Sequence, residues 1–219
     1  EVGPGPGGLT RALLEAGAAQ VVAVERDPRC IAALAELTAA FPGRLRVVEG
    51  DALAVDPADL VAAPRRIVAN LPYNVATPLL LGWLRQIGSF EGLTLMFQKE
   101  VALRLAAKPG NKSYGRLSVI TQWLAEVRFQ FNISKEAFTP PPKIASSVVT
   151  LTPRPTPLAP AEWESLERVT AQAFGQRRKM LRSSLKSLNL DFAALGIEPT
   201  ARAEELSVEQ FCSIARTTG

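Results

Sequence analysis

Asn70-Leu71-Pro72-Tyr73 closes an apolar run, Ile67-Val68-Ala69, that reads as a buried strand. A simple turn would end such a strand. Here a side-chain amide, a rigid proline and an aromatic ring stand in its place. That set suits an attack by an exocyclic amine on a nucleobase, whose lone pair is delocalised into the ring. The Asn70 side-chain carbonyl and the Leu71 backbone carbonyl can accept the two amine hydrogens, pull the nitrogen toward tetrahedral geometry and free the pair. Pro72 fixes the turn that aims the carbonyl. Tyr73 offers a face for stacking, worth about 1–3 kcal/mol per base. Its ring, not its hydroxyl, is what stacking needs. The alternative is an Asn-capped turn with a packed tyrosine.

The electrophile follows from a second constellation. Gly3, Gly5 and Gly7 in "EVGPGPG" lie between a strand and a helix, where glycine lets the backbone approach a ligand. Glu25 ends the next strand, about twenty residues on, placed to accept from ribose hydroxyls. The spacing E-x-G-x-G-x-G departs from the G-x-G-x-x-G that seats a pyrophosphate. Its leading acid, Glu1, would repel a pyrophosphate and suit an ammonium. S-adenosylmethionine, with an ammonium, a sulfonium and a ribose, is therefore the cofactor expected. In "EGDAL" Asp51 is placed to accept from the cofactor's adenine amine, or else caps a helix N-terminus. Arg26 and Ala52 are candidates to pack on the adenine faces.

The elements that must position these residues are strands at 20–25, 45–49, 66–70 and 93–98, alternating with helices at 9–16, 28–40 and 77–86. That rhythm gives an α/β fold with a parallel sheet covered on both faces, whose ligands bind at the carboxyl ends of the strands. Segments 127–131 and 146–151 read as a closing antiparallel pair. Four prolines, Pro153, Pro155, Pro157 and Pro160, mark a linker, and the chain beyond reads as helical. The expected division is residues 1–152 and 153–219. Because the chain opens directly on its first strand, without Met, an upstream segment is expected to be missing.

The 219 residues carry a net charge of +4 and no histidine, which excludes Ser-His and Cys-His catalysis and leaves no zinc-type ligand set. No metal is expected. With two separated cysteines and no apolar span, the expectation is a cytoplasmic protein without membrane association. A basic cluster, Arg177, Arg178, Lys179, Arg182 and Lys186, is expected on one long helix. At helical spacing Arg178, Arg182 and Lys186 share a face opposite Leu181, Leu185 and Leu188. No acid interleaves from 176 to 190. The face is therefore read as unpaired and suited to phosphates, with Lys108, Lys112 and Arg116 extending it.

Taken in order, "EVGPGPGGLT", "VVAVERD", "EGDAL" and "VANLPYNVATPLL" resemble the successive motifs of the ribosomal RNA adenine-N6 dimethyltransferases. "EAFTPPPKIASSVV" (136–149) and "FGQRRKMLRSSL" (174–185) resemble the bacterial small-subunit branch. The resemblance implies a Rossmann-like class I S-adenosylmethionine-dependent methyltransferase domain followed by a small all-helical RNA-binding domain. It implies dimethylation of two adjacent adenosines in a hairpin loop near the 3′ end of 16S rRNA, in the immature 30S subunit, by a monomer. It also implies cofactor contacts at Gly3, Glu25, Asp51 and Asn70, and a role for Phe138 as the second face of the base sandwich; a packing role for Phe138 is the alternative. Such proteins begin with a further segment, usually including Gln-Asn-Phe-Leu, that helps enclose the cofactor and is absent from this sequence. Two rival functions share parts of the pattern. One is a 23S rRNA adenine dimethyltransferase of the antibiotic-resistance type, the other a non-catalytic ribosome-assembly factor on the same scaffold.

Overall fold

A computed structural model of the chain describes residues 1–139 and 141–218. Pro140 of the "FTPPPK" segment and Gly219, the last residue of the expected helical domain, lie outside them. The order is α1 (Gly8–Glu15), β1 (Val21–Glu25), α2 (Pro28–Ala40), β2 (Leu45–Glu49), α3 (Pro57–Leu60), β3 (Arg66–Asn70), α4 (Tyr73–Arg85), β4 (Gly92–Gln98), α5 (Lys99–Ala106), α6 (Arg116–Leu124), β5 (Ala125–Ile133), β6 (Ser146–Pro153), α7 (Trp163–Gly175), α8 (Leu181–Ser184) and α9 (Val208–Thr217).

The β-branched runs form the strands because their side chains pack on a pleated, buried surface. β1 is buried along its whole length and pairs in parallel with β2, Val21 opposite Leu45 and Glu25 opposite Glu49. Val2 bridges Val24 in parallel on the way into the glycine loop. β3 pairs in parallel with β4, Asn70 opposite Met96. β4 then pairs antiparallel with β6, and the order across this second sheet is β3-β4-β6-β5. Leu14, Ala23, Leu34, Leu37 and Leu45 form a buried core cluster between β1, β2 and the helices α1 and α2.

α4 begins a turn earlier than the expected 77–86. Pro78 sits inside it rather than at its start. A proline there removes one hydrogen bond of the helix. Burial of Ala76, Leu79, Leu80, Trp83 and Leu84 along one face offsets that loss. The consequence for the site is that Tyr73 is the first helical residue.

Two compact units differ from the expected cut after residue 152. One is Glu1–Lys99 with Gln130–Thr152, the other Glu100–Phe129 with Pro153–Gly219. The α5–α6 segment belongs with the C-terminal helices because of what its side chains meet. Tyr114 stacks edge-on with Phe174, Trp123 lies 6.2 Å from Trp163, and Arg116 pairs with Glu167 at 2.6 Å. The proline-rich stretch is docked rather than loose. Arg154 and Leu158 donate their N–H groups to the Leu124 and Trp123 carbonyls, and the Trp123 indole donates to the Ala159 carbonyl.

The long basic helix expected beyond 175 does not form. α7 ends at Gly175, and the next helical turn is the short α8. Backbone bonds to a neighbouring segment win over helix continuation. Met180 bridges Arg202, and the Leu181 and Arg182 N–H groups go to the Ala201 and Pro199 carbonyls. Arg178, Arg182 and Lys186 therefore do not form one face of a continuous helix.

Candidate active site

At the carboxyl ends of β1, β2 and β3 lies a cleft of about 260 Å³. Its wall comes from the entry to the glycine loop, the ends of β1 and β2, and the start of α4 after β3. These are Val2 and Gly3, then Val24 to Asp27, then Gly50 to Leu53, then Pro72, Asn74, Val75 and Leu79. Apolar groups form most of the surface, with carboxylates at Glu25, Asp27 and Asp51.

Glu25 is 9 % exposed, and its carboxylate holds the loops around it. Oε1 accepts the N–H groups of Arg26 and Asp27 at 2.8 and 2.9 Å, and Oε2 accepts that of Gly5 at 3.1 Å. A carboxylate offers about four acceptor positions, so one on Oε2 remains for a ligand. Gly5 thus contributes by its N–H and does not line the cleft.

Gly3 does line it, with φ of +66° and Pro72 Cδ 3.5 Å from where a Cβ would sit. Gly7 has another duty. At φ of +92°, a Cβ there would lie 2.7 Å from Leu34 Cδ2, so Gly7 is where α1 closes on α2.

Asp51 is exposed and sits in a turn rather than at a helix start. Its Oδ1 accepts the Leu53 N–H at 3.0 Å. Oδ2 has no protein partner among the described residues. Arg26 and Ala52 both lie on the cleft wall.

Glu1 lies elsewhere. It lines a separate cavity of about 40 Å³ with Arg65, Arg66 and Phe90, and its carboxylate accepts the Thr10 hydroxyl at 2.6 Å. Burial raises the Glu1 carboxyl pKa above its ordinary value, against the lowering effect of that hydroxyl.

Asn70, at the last position of β3, is exposed, and its amide makes no hydrogen bond among the described residues. Leu71 is buried and anchors the turn. Pro72, at φ of −58°, forms the N-terminal boundary of α4. Tyr73 keeps 36 % of its surface exposed while its hydroxyl lies 2.6 Å from Ser146 Oγ. Phe138 is half-buried just after a short 3₁₀ turn, Lys135–Ala137.

Sequence reasoning missed Val2, Val24, Asp27, Gly50, Leu53, Asn74, Val75 and Leu79 of the cleft. Asp27 was legible as the cap before Pro28. It accepts the Arg29 N–H, and its ion pair with the Arg29 guanidinium is 2.7 Å long. These contacts, the guanidinium hydrogen bond first, hold its carboxyl down to about 2. Val75 and Leu79 are four apart on α4, a spacing that shares one face.

In the C-terminal unit, Arg178, Lys179, Arg182 and Lys186 are exposed and have no ion-pair partner among the described residues. Arg177 differs. Its Nε donates to Glu204 at 2.6 Å and its Nη2 to the Lys112 carbonyl at 2.6 Å. The acid that pairs it comes from beyond the stretch in which none interleaves. Lys108 and Lys112 are exposed, whereas Arg116 is engaged by Glu167.

A family model described as ribosomal RNA adenine dimethylase matches residues 1–218. A Rhodospirillum rubrum protein named ribosomal RNA small subunit methyltransferase A is 65 % identical over 219 residues, covering 99 % of this chain and 76 % of that protein. Among solved structures, a dimethyladenosine transferase from Plasmodium falciparum superposes with a TM-score of 0.82 at 24 % identity, covering 97 % of this chain and 86 % of that one. The 23S rRNA methyltransferase ErmE gives a TM-score of 0.73 at 26 % identity, over 99 % of this chain and 88 % of that one. Of these relatives, the Rhodospirillum rubrum protein is named for the small ribosomal subunit and ErmE for 23S rRNA. On the match along nearly its whole length, this chain belongs to the ribosomal RNA adenine dimethylase family.

Proposed function

We infer that this protein transfers methyl groups from S-adenosylmethionine to the N6 atoms of two adjacent adenosines in a hairpin loop near the 3′ end of 16S rRNA. The substrate is the immature 30S subunit in the cytoplasm. The observation that carries this reading is the free Asn70 amide at the end of β3. It comes two residues before Pro72, which lines the cleft, and three before the partly exposed Tyr73; Asn70 and Tyr73 do not themselves line that cleft.

The cleft suits the cofactor on its own chemistry. Its wall is apolar for an adenine and ribose body, Glu25 Oε2 retains an acceptor position for a ribose hydroxyl, and Asp51 Oδ2 is open to an adenine amine. When bound, the cofactor supplies an electrophilic methyl group on a sulfonium.

The protein acts on the other reactant. The adenine must leave its stack to reach such a site. Tyr73 gives it one face, and Phe138 gives the second. The Asn70 side-chain carbonyl and the Leu71 carbonyl accept the N6 hydrogens, so the lone pair turns out of the ring and can form the new N–C bond. The nitrogen's proton becomes acidic as that bond forms and passes to solvent, which needs no histidine. In the C-terminal unit, Arg178, Lys179, Arg182 and Lys186 meet phosphates, which positions RNA without reading sequence.

The test is incubation of the protein with labelled cofactor and, in parallel, immature small subunits or large-subunit RNA, followed by nucleoside mass spectrometry and mapping. The expected product is N6,N6-dimethyladenosine at two adjacent positions of the small-subunit RNA. Label in large-subunit RNA alone would transfer the protein to the antibiotic-resistance type. No label would remove the catalytic reading.

A further inference from the structure

We propose that Ser146 is a positioning residue for methyl transfer, holding the Tyr73 ring in the place where a target base stacks against it. The inference rests on the reading of Tyr73 as a base platform and adds how that platform is aimed.

Tyr73 is fixed at both ends. Its backbone opens α4, immediately after Pro72. Its hydroxyl, at the far tip of the ring, meets Ser146 Oγ at 2.6 Å. Between these ends the ring remains 36 % exposed. An exposed tyrosine has two side-chain torsions free to turn. Anchoring the tip fixes the first of them, and with it the line along which the ring's long axis lies.

The anchor itself cannot move. Ser146 is fully buried and is the first residue of β6, opposite Gln98 in the antiparallel ladder. The ladder continues past it, since the Lys99 N–H donates to the Ala145 carbonyl at 2.9 Å. β6 and β3 flank β4, so the hydroxyl pair spans the width of a strand. It ties the Asn70–Tyr73 turn to the end of the "FTPPPKIASS" segment that carries Phe138.

A buried serine hydroxyl needs a partner, and Tyr73 supplies the one seen among the described residues. The sequence alone suggested that the Tyr73 hydroxyl is dispensable. The structure gives it a task.

A double-mutant cycle tests this. Tyr73→Phe, Ser146→Ala and the double variant are compared in single-turnover methylation of small-subunit RNA at saturating cofactor, with cofactor affinity and thermal midpoint measured beside it. Loss of one neutral hydrogen bond corresponds to about a five- to tenfold fall in rate for each single variant. The double variant should fall no further than the slower single, and cofactor affinity should be unchanged. A double variant whose loss is the product of the two singles would overturn the proposal, as would a wild-type rate for Tyr73→Phe. Tyr73→Phe keeps an exposed ring on its helix and leaves the test standing even if Ser146→Ala does not fold. Tyr73→Ala separates the two claims. If it abolishes transfer while Tyr73→Phe is silent, the platform stands and the positioning role fails. If Tyr73→Ala is itself silent, the platform fails.

Discussion

Replacing Glu25 with alanine should damage the fold and the cofactor site by separable amounts. The carboxylate receives three backbone N–H groups, from Gly5, Arg26 and Asp27, at 2.8–3.1 Å. Hydrogen bonds to a charged acceptor contribute about 1.5–3 kcal/mol each. At the rim of an open cleft, water can reach some of the abandoned donors. The net loss of stability should therefore be near one such bond, about 2–3 kcal/mol, rather than the sum of three. Glu25→Gln should cost less, about 1 kcal/mol. Its carbonyl still serves Arg26 and Asp27, and only its NH2 meets the Gly5 N–H, donor against donor. Cofactor affinity is a second quantity. Loss of the ribose contact should weaken binding by about 1–3 kcal/mol, or roughly 5- to 150-fold. Urea unfolding gives the first number, and calorimetry at a temperature where every variant is folded gives the second. Unchanged stability in Glu25→Ala would show that the carboxylate does not brace the glycine loop. Unchanged affinity would take Glu25 out of the cofactor site.

Gly7→Ala should lower unfolding free energy by about 2 kcal/mol, from the left-handed backbone and the crowding against Leu34; a neutral result in urea unfolding would show that α1 and α2 yield freely. Changing Arg178 and Arg182 together to Ala should reduce the slope of RNA affinity against salt by about two phosphate contacts, whereas Arg177→Ala should lower the thermal midpoint and change that slope less. An equal slope change for Arg177 would return it to the RNA face despite its pairing with Glu204. Asp27, held down to about 2, stabilises the folded state above the ordinary carboxylate range, and that contribution is lost as pH falls through about 2. Asp27→Ala should therefore lower the thermal midpoint at neutral pH and flatten its acid decline between roughly pH 4 and pH 2; parallel pH profiles for the two proteins would refute the assignment.

What the sequence made legible was governed by neighbours along the chain. β2 and β3 run over the expected residues because each is centred on a β-branched pair, Val47-Val48 and Ile67-Val68, and closes on a polar residue, Glu49 and Asn70. The cleft walls at Gly3, Glu25 and Asp51 were legible because a parallel sheet sends its strand ends to one edge. The hidden features depend on partners distant in sequence. α7 stops at Gly175 because residues 199–202 offer backbone bonds to the chain that follows, and helical periodicity in 176–188 carries no trace of that. Arg177 looked unpaired because Glu204 lies 27 positions away. α6 escaped notice because its start, Gly115, lacks a capping side chain. Its N–H is instead satisfied by Ser118 Oγ at 3.0 Å. Tyr73 and Ser146 are 73 positions apart, and nothing in either local sequence announces their bond.

Asn70 activates the target amine in the mechanism proposed for this site. Single-turnover methyl transfer by Asn70→Asp and Asn70→Ala, with cofactor affinity measured in parallel, tests it most directly. Aspartate can still accept from N6, but it adds a negative charge near the sulfonium. That charge should stabilise the cationic ground state more than a transition state in which the charge is dispersing, and catalysis depends on that difference. Asn70→Asp should keep cofactor binding and lose much of the rate, whereas Asn70→Ala should lose rate and some binding. A near-normal rate for Asn70→Ala, with the RNA still methylated at the same adenosines, would contradict it.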